Sequence, residues 1–76
     1  MTKVGARVLF HFLVSGESVL RTRPAVVMAV YDGDRADLEV EITPEETAVW
    51  GYTSAQGHVP KATGRPSSGE WTTPRI

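Results

Sequence analysis

Two histidines, nine carboxylates and a scatter of hydroxyls are the side chains to which bond-making would have to fall in this 76-residue chain, because it has no cysteine. His11 and His58 would hold a metal only with carboxylates completing the ligand set. Their surroundings suggest plainer roles, a semi-exposed His11 on a strand and a solvent-facing His58 in a loop-rich segment. Asp32-Gly33-Asp34-Arg35-Ala36-Asp37 glances at a calcium loop. Its fifth position is Ala36, however, and no glutamate closes a 12-residue frame; a hairpin turn accounts for the same residues. There is no Gly-x-Ser-x-Gly elbow, no phosphate-cradling glycine pattern, and no histidine spaced to activate a hydroxyl. A chain of 76 residues also offers little concavity for a substrate. No catalytic, metal or cofactor residues are therefore expected, and the chain reads as a non-enzymatic protein.

Surface chemistry is what remains. Arg21, Arg23, Lys61, Arg65 and Arg75, with Trp50, Tyr52 and Trp71, have the make-up of a basic aromatic surface, the device by which small barrels hold single-stranded nucleic acid. Nine acidic residues and a net charge of −1 disfavour that partner, since nucleic-acid binders carry a basic excess. Tryptophans in so small a domain more often pack than serve as platforms. Asp37, Glu39 and Glu41 form an acidic ladder on one strand face. Like charges at alternate positions repel by about a few tenths of a kcal/mol per pair unless a cation lies opposite. The ladder is thus either a solvated face or half of a charge-complementary interface with a neighbouring copy or a larger assembly. The residues expected at a protein contact are Arg21, Arg23, Glu39, Glu41, Trp50, Tyr52, His58, Lys61, Arg65 and Trp71.

Positioning these groups falls to a single small domain, residues 1–76. A chain of this size buries roughly 60% of its unfolded surface, so its stability is modest and packing alone or packing on a partner must supply it. Without cysteine there are no disulfides or ordinary structural zinc sites. No apolar run approaches 18 residues, so no transmembrane helix is expected. The N-terminal MTKVGARVLFHFLVSGES has a signal-peptide flavour, but His11 interrupts the patch and its alternation reads as a strand.

The chain is organised around Arg23–Ile42. An apolar run, Ala25–Tyr31, meets an Asp32-Gly33 turn and then the alternating Leu38, Val40, Ile42, a strong hairpin signal. The first arm has little polar face and should sit centrally or be covered on both sides. Pro24 withholds a ladder donor, which places it at the start of that strand. Upstream, Gly5–Val14 predicts a strand with Val4, Ala6, Val8, Phe10, Phe12 and Val14 toward the core, paired on both sides or capped. Ser15–Ser18 is a turn, after which Val19 and Leu20 should tuck inward. Thr43-Pro44-Glu45-Glu46 has the form of a helix start, but Trp50-Gly51-Tyr52 predicts at most one turn of helix, then a strand over Val49–Thr53. Residues 54–68 read as a long surface excursion with room for a short strand near His58–Ala62. Glu70–Thr73 is the last strand.

Four or five short antiparallel strands with almost no helix predict an all-β fold. An SH3-like barrel, which removes the edges an apolar first strand would expose, is the smallest common solution. The succession Gly5-x-x-Val8, Arg23-Pro24-Ala25-Val26-Val27, Val30-Tyr31-Asp32-Gly33-Asp34, Leu38-x-Val40 and Gly69-Glu70-Trp71-Thr72-Thr73-Pro74 resembles small SH3-like barrel proteins encoded by tailed bacteriophages. In these an RPA opening leads to a valine-rich strand and acidic turn, and a G-x-W…P element closes the chain. That group often has a second aromatic where Thr73 stands here, and residues 44–68 have no counterpart in the pattern. The resemblance implies a phage setting and a barrel, with no catalytic residues carried over. The expected function is a structural or docking protein of the virion, such as a capsid decoration (cement) protein or an adaptor, present in host cytoplasm during assembly. Its partner would be a larger capsid or tail assembly, without membrane, cofactor or metal, and self-association is left open. The alternatives are a nucleic-acid-binding or regulatory barrel and a phage inhibitor that docks on a host protein.

Overall fold

The computed structural model describes residues 2–74. Arg75, one of the basic residues considered above, lies outside them. Five strands follow in order: β1 Arg7–Phe12, β2 Arg21–Val30, β3 Ala36–Val40, β4 Ala55–Val59 and β5 Glu70–Thr72, with one helix, α1 Pro44–Trp50, between β3 and β4. They form one sheet in the order β4-β3-β2-β1-β5, antiparallel throughout. The sheet curls into a half-barrel, and the chain just after β4 spans the seam. Trp71 N donates to Pro60 O (3.1 Å) and Ala62 N to Trp71 O (2.9 Å), a parallel bridge at Lys61 and Trp71. The architecture is that of a small SH3-like barrel.

The concave face gathers the core: Val8, Phe10 and Phe12 from β1, Ala25 and Val27 from β2, Ala36, Leu38 and Val40 from β3, then Val59 and Trp71. Each large aliphatic or aromatic side chain buried in this way contributes about 1.5–3 kcal/mol, and in a chain this short few others are available. The alternation read from β1 is the alternation found, and β1 is paired on both sides, by β2 and β5. Two apolar residues expected inside lie outside. Val4 precedes the turn at Gly5, whose φ of +89° redirects the chain, and Val19 is 75% exposed in the β1–β2 connection.

β2 is central, as its composition demands, but it begins earlier than expected, and Pro24 sits inside it opposite Leu9. Registry makes this harmless. A strand residue directs its N and O to the same neighbour, and Pro24 O accepts from Glu41 N (2.9 Å) on the β3 side. The missing donor therefore falls where the β2–β3 ladder ends at Ala25 and Val40, and the β1 ladder loses nothing. The β2–β3 hairpin forms, but around a five-residue connection closed by Tyr31 N to Arg35 O (2.7 Å). Its left-handed residues are Gly33 (φ +74°) and Asp34 (φ +59°), one step beyond the Asp32-Gly33 pair.

The largest departure lies after β3. Thr43 and Glu46 make a complete capping box, but α1 runs on through Trp50 and ends on Gly51, which takes φ +78° and donates to Thr47 O (2.9 Å). The strand expected over Val49–Thr53 is this helix and its left-handed cap. β4 then occupies Ala55–Val59, so the excursion expected over 54–68 shrinks to the connection between residue 62 and β5.

Candidate functional site

Phe12 ends β1 at one mouth of the barrel, and α1 lies across that mouth. Glu46 and Trp50 are four residues apart and so share a helix face. Trp50 packs on Phe12 with ring centroids 5.7 Å apart, and Tyr52, just past the helix cap, packs on Phe12 at 4.8 Å and on Phe10 at 6.4 Å. The Tyr52 hydroxyl donates to Leu13 O (3.2 Å), and Leu13 N donates to Ser68 Oγ (3.0 Å), tying the last connection to the same rim.

Arg21 and Arg23 pair with Phe12 and Phe10 across the β1–β2 ladder, so their side chains leave β2 on the concave side and reach over the mouth. The Arg21 guanidinium carbon lies 4.6 Å from the Trp50 ring centre and that of Arg23 5.1 Å. Each guanidinium also meets a carboxylate. Arg21 donates to both oxygens of Glu17 (2.9 and 2.7 Å), a two-pronged bond that holds the Glu17 carboxyl below its ordinary value. Arg23 donates to Glu46, whose other oxygen accepts from Thr43 N (3.1 Å). One carboxylate therefore caps α1 and fixes the arginine that covers Trp50. Trp50 stays half-buried, while its neighbour Val49 is 78% exposed and Val19 projects from the rim between Glu17 and Arg21. Both cations at this surface already have carboxylate partners, and apolar groups beside them stand uncovered.

Of the ten residues expected at a contact, Arg21, Arg23, Trp50 and Tyr52 are brought together here. Trp71 is not a surface residue. It is 0% exposed, and its Nε1 donates to Val59 O (3.0 Å) and Asp34 O (3.2 Å), so no partner reaches its ring. Lys61 Nζ lies over that ring at 5.4 Å. Glu39 and Glu41 are exposed on the convex face of the sheet, and Arg65 is exposed in the last connection. His58 does not join the mouth residues but stacks on Tyr31, centroids 4.0 Å apart. The acidic ladder does not survive as a unit. Asp37 accepts from the Tyr31 hydroxyl (2.7 Å) and from His58 N (2.9 Å), which lowers its carboxyl pKa and pins the register shift between β3 and β4. His58 there adopts φ +49°, a region His tolerates better than most residues.

His11 corrects another expectation. It is 8% exposed, with Nδ1 3.0 Å from Thr22 Oγ1 and Nε2 2.7 Å from Thr72 Oγ1. A neutral ring donates through one nitrogen and accepts through the other, and hydroxyls can fill either role. Burial holds its pKa below the ordinary 6.5, offset in part by the nearby Glu70. Sequence reasoning also missed Glu17 and Glu46 as partners of the arginines, and Tyr31 as the lid on His58. Among the described residues no three His, Asp or Glu side chains lie together as a metal site, and no helix is long and apolar enough to cross a membrane.

The fold and this surface define a class: a small compact all-β domain with a curved sheet, built in the manner of a protein-interaction module. Comparison with protein-family models, curated proteins and solved structures yields no match for the chain.

Proposed function

We propose that this chain is a non-enzymatic docking protein that seats its α1-capped mouth on a larger protein assembly, and that the assembly is a tailed-phage particle. A decoration or cement role on the capsid lattice is the first assignment and an adaptor elsewhere in the particle the second. The supporting observation is Trp50, half-buried under two arginines that already have their counter-ions and next in the chain to the exposed Val49. A pre-ordered aromatic with arginine neighbours is the composition of an interface hot spot, and its rigidity lowers the ordering cost of binding. The phage setting rests on the resemblance of the RPAVV, YDGD and GEWTTP segments described above.

Quantitative mass spectrometry of purified particles tests this reading. Many copies per particle is the expected result, and absence from particles overturns it. A low-salt titration with single- and double-stranded DNA and RNA tests the rival class. Binding that falls steeply with salt would favour a nucleic-acid function.

A further inference from the structure

The convex face of the sheet carries a second, differently built surface. Arg7, Val26 and Glu39 are cross-strand partners in one row over β1, β2 and β3. The next row places Leu9 opposite Pro24, with Glu41 bonded to Pro24 O. The middle of the face is thus apolar. Between Arg7 on one side and Glu39 and Glu41 on the other it sinks into a shallow groove of about 230 Å³ over Pro24 and Val26. Past Arg7 the flank continues basic, since Lys3 and Lys61 line the adjoining hollow with it. Past Val26 it is acidic. Among the described residues none of Lys3, Arg7, Glu39 and Glu41 makes an ion pair, although the two signs lie only two strand spacings apart, about 10 Å.

We infer that this face pairs with the same face of a second copy of the chain, about a two-fold axis running parallel to β2. Rotation about that axis exchanges the β1 side with the β3 side. It lays Arg7 over Glu39 of the second copy and Glu39 over Arg7 of the second copy, with the Val26 strips in contact between them. An axis across the strands would set like charges together, so the pattern selects one arrangement. Two sheets stacked in this way keep their strands roughly aligned, as packed sheets do. Convex curvature limits the area, so the dimer is weak and salt-sensitive. This surface is separate from the α1 mouth, and the inference stands or falls apart from the docking role.

Sedimentation velocity of the full chain at low salt, up to about 1 mM, tests it. The wild type should reach a dimer and go no further. Arg7→Glu and Glu39→Arg should each weaken self-association by at least about tenfold, because each places like charges across the axis twice. An equimolar mixture of the two variants should form a 1:1 dimer, and the doubly reversed chain should dimerise like the wild type. Both residues are exposed, and circular dichroism of each variant verifies the fold. If one single variant fails to fold, the doubly reversed chain still decides. A wild-type monomer at the highest concentration, single variants that dimerise normally, or open-ended oligomers would each overturn the inference.

Discussion

The two tryptophans divide the molecule. Trp71 closes the seam of the barrel. It is fully buried, its indole N–H is shared between two carbonyls, its backbone N and O both bond to residues 60–62, and it stands opposite Phe10 in the β1–β5 ladder. Trp50 covers the opposite requirement, a mouth that strands alone leave open. It rests on Phe12, is overlaid by two paired arginines, and keeps part of its ring in solvent. One residue type therefore serves two ends: at the seam every polar atom and every surface is used within the chain, and at the mouth apolar surface is left over. An element can be spared for a partner only where the fold does not depend on it, so the seam should hold stability and the mouth recognition.

Substitutions can break or sharpen that division. Trp71→Ala should be the most damaging, at about 3–5 kcal/mol. That is a large fraction of what a domain of this size holds, so circular dichroism should show little folded protein at room temperature. Trp50→Ala should cost about 1–2 kcal/mol, a fall of several degrees in Tm for a 76-residue domain, and leave the strand spectrum intact. If the two variants were equally destabilised, the division would fail. Thr43→Ala removes the capping box that seats α1 and should cost about 1 kcal/mol, with a red shift of Trp50 fluorescence as the helix end loosens. Arg21→Ala should leave thermal unfolding nearly unchanged, because an exposed ion pair contributes little.

Acid adds a test centred on the convex face. His11 is held neutral by burial, with its pKa below 6.5 in the folded state. The stability this supplies is complete above pH 6.5 and is lost as the pH falls through the lower folded value, because the unfolded chain takes up the proton first. Tm should decline from pH 7 toward pH 5, and His11→Gln should flatten that decline. A profile that falls equally in the variant would remove His11 as its cause. The carboxyls of Glu17 and Asp37, both lowered in the folded state, contribute their loss further into acid, as the pH drops below the ordinary carboxylate range.

Much of this was legible in the chain because strands write their period into the sequence. Phe10, Phe12, Leu38 and Val40 alternate without interruption, and each is buried. The helix was half-legible. Thr43-Pro44-x-Glu46 announces its start, but Val49, Trp50 and Tyr52 have strand propensity, and tertiary packing on Phe12 outweighs it. Gly51 was the available sign, since a left-handed glycine after an apolar residue ends a helix as readily as it breaks a strand. β4 was nearly silent because a bulge at Gly57 and His58 disrupts its alternation and leaves Val59 as its one buried residue. The mouth was readable by residue type and not by arrangement. Arg21, Arg23, Trp50 and Tyr52 stand out as contact types, but only the ladder register shows that both arginines leave β2 on the concave side, and only the closed fold shows that Trp71 does not join them.

A mouth that serves recognition can be disabled without disabling the fold. The direct measurement is the occupancy of Trp50→Ala on purified particles, with its thermal unfolding followed in parallel. The expected result is a folded variant, melting within several degrees of the wild type, whose copy number per particle falls at least about tenfold, as for loss of an interface hot spot. A folded variant incorporated at wild-type occupancy would contradict it.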